Sequence, residues 1–204
     1  MRSRALPLIV VVLALPLLAA PAIARRGKEA PTAPGKYKDW GGEIDQLEVV
    51  EPFHLADYSK LVVVPFDTQG TPLPEPSDNT FGPVKAVLVD PAGPFTEGLG
   101  PALAAKIRIA RGETREEKTL LVRAKVLQMD PGSRAARYWA GFGAGAARAE
   151  LEGEVVESAS GKVLLRFRQE RRSGVGTMGG DYAELMDRNL RQIGEDVAFI
   201  LKAF

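Results

Sequence analysis

The residues with the most chemical potential lie in segment 130–147, which reads DPGSRAARYWAGFGAGAA. Gly132, Gly141, Gly143 and Gly145 allow another backbone to approach closely. Arg134, Arg137, Tyr138, Trp139 and Phe142 stand among them, and Arg, Tyr and Trp are the residue types enriched at binding hot spots. Three readings stay open. The segment packs back on its own domain, or it contacts a protein partner or a second copy of the chain. The third is an anion or nucleotide site built from glycine amides with Arg134, Arg137 and Arg148. The Gly141-x-Gly143-x-Gly145 spacing is not the dinucleotide fingerprint, and no Lys-Ser/Thr follows as a phosphate-binding loop requires. A second glycine-rich stretch, 173–180, forms one site with the first only if the sheet brings them together.

Other chemistry has little to work with. The single histidine, His54, lies between Phe53 and Leu55 with no partner at suitable spacing, so it reads as surface or edge packing. No nucleophile elbow and no zinc motif is present. With no cysteine, disulfides, thiol nucleophiles and Cys-based metal sites are excluded. Glu150, Glu152 and Glu154 are paired carboxylates, yet they alternate on one strand face opposite Arg and Lys, and a charge ladder explains them. The expectation is a non-enzyme with no catalytic residues, no metal and no cofactor.

Three alternating strands must position these groups, at 119–129, 149–157 and 162–171. Val122, Ala124 and Val126 share one face, as do Leu151, Gly153 and Val155, and Val163, Leu165 and Phe167. The opposite faces carry Arg123 and Lys125, then the three glutamates, then Arg166 and Arg168. An antiparallel meander with the acidic strand in the middle gives a basic, acidic, basic ladder. A further apolar run, 61–66, reads as a strand covered on both faces. Residues 67–94 read as a long loop with a short strand at 85–89, and 97–110 as a helix in which Gly98, Gly100 and Pro101 weaken the start. The last helix follows Asp181, with Glu184 at the capping-box position and Glu184–Arg188 and Asp187–Arg191 at i,i+4 spacing. Its apolar stripe, Tyr182, Met186, Ile193, Val197 and Ile200, is expected to cover the apolar side of the sheet. The predicted fold is an α/β (α+β) two-layer sandwich. It has a mixed four- or five-stranded sheet containing the meander, and two helices on one face.

The chain begins as an export signal. Arg2 and Arg4 precede an apolar run from Ala5 to Ala20, and Ala22-Ile23-Ala24 forms a small-x-small cleavage pattern. The predicted organisation is a signal peptide at 1–24, a flexible tether and N-terminal edge segment at 25–54, and one domain at 55–204. The chain has 27 basic and 26 acidic residues, and losing Arg2 and Arg4 leaves it within one charge of neutrality. A near-neutral domain has no bulk electrostatic basis for binding nucleic acid. Because a bacterial lipid anchor needs a cysteine after the cleavage site, the mature chain is expected to carry none. It is expected to be periplasmic or secreted after cleavage near Ala24.

The strand 58–66, Tyr-Ser-Lys-Leu-Val-Val-Val-Pro-Phe, comes first. The Gly-Ser-Arg…Arg-Tyr…Gly-Phe-Gly-Ala-Gly pattern within 130–145 follows, then a strand and Ser160-Gly161-Lys162. Together they resemble the bacterial envelope family catalogued as domain of unknown function 4410, many of whose members look like lipoproteins. The resemblance spans roughly residues 55–204, and the glycine-arginine-aromatic pattern is its specific part. The family has no established activity, so the resemblance implies no catalytic residues. Its layout looks similar to the periplasmic domain of the curli secretion lipoprotein and its relatives, which act in outer-membrane assemblies. By that analogy the protein is an envelope accessory protein. It would bind an envelope partner or itself through 130–147, with small-ligand binding at the same segment as the alternative.

Overall fold

The computed structural model describes residues 31–132, 145–173 and 181–204. Seven strands form one sheet: β1 (Gly35–Trp40), β2 (Ile44–Val49), β3 (Lys60–Val63), β4 (Arg108–Arg111), β5 (Thr119–Asp130), β6 (Ala147–Glu157) and β7 (Val163–Ser173). Their order across the sheet is β1-β2-β7-β6-β5-β3-β4. The strand β3 runs parallel to both β4 and β5, and the other pairs are antiparallel. Three α-helices, α1 (Phe81–Val87), α2 (Ala92–Leu103) and α3 (Tyr182–Lys202), share one apolar core with one face of the sheet.

The meander follows its alternation except at Val163, which packs with Val62, Leu121 and Val156 in a second apolar cluster where the β6–β7 register shifts. The acidic strand β6 lies between β5 and β7, and Val122, Val126, Leu151, Val155, Leu165 and Phe167 are buried toward the helices. Gly153 is opposite Phe167, and a Cβ on Gly153 would stand 2.5 Å from Cζ of that ring. The aromatic side chain thus fills the space the glycine leaves. The last helix covers the apolar side of the sheet, with Met186, Leu190, Ile193, Val197 and Leu201 in the core.

Four expectations need correction. The sheet has seven strands rather than four or five, because residues 35–49 form the β1–β2 hairpin at one edge. The hairpin hides its period. Asp39 has a left-handed backbone at φ +51°, so the alternation slips by one residue and Trp40 turns into the core after Tyr37. The helices number three among the described residues rather than two, because 81–87 is helix and not a strand at 85–89. Val84 and Val87 recur at helical spacing, and Pro83 sits in the first turn, where its missing N–H leaves no gap. The predicted helix 97–110 starts earlier and ends at Leu103. Residues 108–111 instead pair with β3. Finally, Asp181 occupies the N-cap position of α3 without a side-chain capping bond, and Arg191 hydrogen-bonds to Glu97 of α2 while its charge also acts on Asp187.

Gly98 is a contact residue rather than a weak helix start. A Cβ on Gly98 would lie 2.0 Å from the carbonyl oxygen of Arg191, and one on Gly194 would lie 2.1 Å from that of Phe95. Helices α2 and α3 therefore cross backbone to backbone, each contributing a glycine. Gly98→Ala and Gly194→Ala are each expected to destabilise the fold by about 1–3 kcal/mol through overpacking. Urea denaturation measures this, with half-buried Gly100→Ala as the control, since nothing lies within 4 Å of its Cβ position.

Candidate functional site at the ends of β5, β6 and β7

The sheet order brings the described ends of the two glycine-rich stretches together. Ala147, the first residue of β6, pairs with Ser173, the last of β7. At the end of β5, the Asp130 carboxylate accepts a 2.8 Å hydrogen bond from the Gly132 N–H. Gly132 has φ +70° and lies against the facing strand entry: a Cβ there would be 2.1 Å from the Gly145 carbonyl oxygen. No other residue type fits that backbone conformation and that approach together.

Asn189 of α3 clamps this junction. Its side chain is fully buried. Its Nδ2 donates to the Ala147 carbonyl at 3.0 Å, and its Oδ1 accepts from Ser173 Oγ at 2.5 Å. One amide thus satisfies the buried polar groups at both strand ends. Sequence reasoning missed Asn189, although a signal exists: it is a polar residue on an apolar helical stripe, one turn from Leu185 and from Ile193. Asp196 carries the same signal. It accepts from Gln169 Nε2 at 2.8 Å and from Arg171 Nε at 2.6 Å. Burial pushes its carboxyl up, and Arg171 and Gln169 draw it only part of the way back. Gln169 also donates to the Glu43 carbonyl at 3.0 Å and accepts from the Asp45 N–H at 2.9 Å, so the network fastens the β1–β2 turn to β7 and α3.

On the open face of the same strand ends, Asp130, Arg148 and Arg172 lie in one cross-strand row. Arg148 and Arg172 both bond to Glu170. Burial pushes the Glu170 carboxyl up, but hydrogen bonds from Arg172 and Arg148 outweigh it and hold it below the usual range. Arg148 and Arg172 thus share one carboxylate. Arg134, Arg137, Tyr138, Trp139, Phe142, Gly141 and Gly143 lie outside the described residues, as do residues 1–30, with the expected signal peptide, and residues 174–180.

The remaining chemistry-bearing residues do not join this site. His54 is exposed, and its carbonyl accepts the Asp57 N–H at 3.0 Å beside a short 3₁₀ turn. Phe53 there stacks on Phe204 at 4.9 Å. The nearby Tyr58 hydroxyl donates to Glu157 at 3.3 Å, and its pKa is pushed up to about 12 by burial and by the Glu157 charge. Among the described residues, no three His, Asp or Glu side chains are grouped to hold a metal ion.

The glutamates do form the expected ladder. Directly paired residues give one row Lys36, Glu48, Arg166, Glu154, Arg123 and a second row Lys38, Gln46, Arg168, Glu152, Lys125. Arg166–Glu48 measures 3.3 Å and Arg123–Glu154 3.8 Å, while Arg168 reaches sideways to Glu150 at 2.7 Å.

Comparison with known proteins bears out the resemblance in part of its extent. Residues 101–177 match the family model described as domain of unknown function (DUF4410), from the end of α2 past β7. This is a shorter stretch than 55–204. A search of the curated proteins finds no match. Among solved structures, the chain is similar to a PelC dodecamer from Paraburkholderia phytofirmans. They share 12% identity over 70% of this chain and 91% of that one, with a TM-score of 0.42. It is similar to protein XCC0632 from Xanthomonas campestris at 12% identity over 71% and 84%, with a TM-score of 0.41. It is also similar to lipoprotein GNA1162 from Neisseria meningitidis at 12% identity over 69% and 99%, with a TM-score of 0.35. Likeness of this degree assigns no activity. Among the described residues, no helix is long and apolar enough to cross a membrane.

Asn189→Ala is expected to leave the Ala147 carbonyl buried without a partner and to lower stability by about 1–3 kcal/mol. Native-state hydrogen exchange checks the location. The loss should appear first in the amides of β6 and β7 nearest Ala147 and Ser173, while β1–β2 keeps its protection.

Proposed function

We propose that the protein is an exported, non-enzymatic accessory protein of the bacterial cell envelope. It holds a protein partner or a second copy of itself through the segment 130–147. One observation carries this reading: the described ends of both glycine-rich stretches meet at one end of the sheet. They are fixed there by Gly132 packed on Gly145 and by Asn189 bonded to Ala147 and Ser173. A rigid base of this kind reduces the entropy lost when the segment between its ends is ordered against a partner. The chemistry of Arg134, Arg137, Tyr138, Trp139 and Phe142 suits a contact surface more than catalysis. The leader at 1–24 supports an envelope location. The chain has no cysteine to carry a lipid, so attachment to any membrane runs through the partner.

The test is the double variant Arg137→Ala/Trp139→Ala. Light scattering gives the mass of the purified assembly, and crosslinking in intact envelopes gives the contacts. Loss of the assembly or of the crosslinks, with an unchanged circular dichroism spectrum, is the expected result. Full retention of both in a folded variant would overturn the proposal.

A further inference from the structure

The open face of the sheet holds a trough of about 650 Å³ far from any helix, and its long axis runs across the strands. Its floor is the backbone of Tyr37, Leu47, Phe167, Gly153 and Ala124, which are successive cross-strand partners. Its two walls are the charged rows on either side. Because residues i and i+2 of a strand face the same way, each strand contributes one side chain to each wall. Like groups therefore face each other across the trough. Lys36 and Lys38 stand on β1, Arg166 and Arg168 on β7, and Arg123 and Lys125 on β5. Between these cation pairs lie acceptors, Glu48 with Gln46 on β2 and Glu152 with Glu154 on β6.

Two strand spacings separate successive cation pairs, about 10 Å, and the whole array spans about 19 Å. The lining carries six cations against three carboxylates, on a chain whose formal net charge is only +1. Five of the cations have side chains between 44% and 82% exposed. Lys38 is exposed and has no carboxylate within ion-pair distance among the described residues. The pairs these cations form measure 3.8 Å for Lys36–Glu48 and Arg123–Glu154, 3.6 Å for Lys125–Asp67, 3.3 Å for Arg166–Glu48 and 2.7 Å for Arg168–Glu150, and each leaves its cation exposed. Exposed pairs of this kind hold their cations weakly.

The alternation selects among anions. A polymer charged along its whole length, such as a nucleic acid or polyphosphate, would set anions against Glu48, Glu152 and Glu154. An extended peptide would gain no backbone hydrogen bonds, since the floor amides and carbonyls already serve the sheet ladder. A chain that alternates carboxylates with hydroxyl-bearing units fits both kinds of position: its carboxylates meet the cation pairs and its hydroxyls donate to the acceptors between. We propose that the trough binds a linear acidic polysaccharide, with carboxylates on the paired cations of β1, β7 and β5.

Titration calorimetry of the purified chain tests this with hyaluronate as the probe, since its repeat alternates a carboxylate-bearing sugar with a neutral, hydroxyl-bearing one. Binding should weaken as salt rises. Lys36→Gln/Lys38→Gln should lower affinity by about tenfold. Lys125→Gln, at the far end of the trough, should weaken it as well. Lys85→Gln/Lys106→Gln, which removes two exposed cations from elsewhere on the surface, should leave affinity unchanged. Three results would overturn the proposal: no binding at low salt, equal loss in the Lys85/Lys106 variant, or equally tight binding of poly-L-glutamate. The last would make the occupant an acidic peptide.

Discussion

Where α2 and α3 cross, the carbonyl oxygens of Arg191 and Phe95 lie in the space that side chains of Gly98 and Gly194 would otherwise fill. Contact at this distance lets the two helices share one layer over the sheet. It fixes the rotation of α3 about its axis, because only one rotation aims Gly194 at α2. That rotation in turn aims Met186, Leu190, Ile193 and Val197 at the strands. It also carries Asn189 to the junction of β6 and β7 and Asp196 to Gln169 and Arg171. The positions of the two buried polar clamps are thus consequences of a helix crossing set by glycine.

The clamps divide the labour along α3. Asn189 secures the strand ends from which the glycine-rich stretches depart. Asp196, nearly two turns further on, secures the β1–β2 turn through Gln169. Each replaces water for groups that the core would otherwise leave unpaired, which is why these positions are polar on a helix face that is otherwise apolar. An apolar residue at 189 would leave the Ala147 carbonyl without that donor, and one at 196 would leave the Arg171 guanidinium with Glu43 alone.

How far the sequence revealed this depends on whether a signal is local. The alternation of β5, β6 and β7 is local, and it yielded both the strand order of the meander and its two faces. The stripe of α3 is local too. The β1–β2 hairpin was hidden because Asp39 shifts the alternation by one residue. The helix α1 was hidden because prolines and glycines around it read as loop. Gly98 was misjudged for a different reason. Helix propensity counts only what a glycine costs its own helix, and the gain here lies on another element distant in sequence. The convergence of the two glycine-rich stretches was likewise a question of strand order, and the pairing of Ala147 with Ser173 answers it. The side chains that give segment 130–147 its character remain outside what the fold describes.

The open face follows from the same period that builds the core. Once Leu151, Val155, Leu165 and Phe167 point to the helices, Glu150, Glu152, Glu154, Arg166 and Arg168 must point away from them. A register slip of one residue would bury these charges, so the ladder protects the register even though its exposed pairs add little to stability. Protection of register needs only that the face be charged. It does not require the cations to stand in three facing pairs, with acceptors between them, on strands two apart. That arrangement also leaves Lys38 without a carboxylate among the described residues and lets Arg168 turn toward Glu150 rather than Glu152. An ordering chosen for ion pairing alone would have placed opposite charges across the trough as well as along it, and the trough would then have no net attraction for an anion.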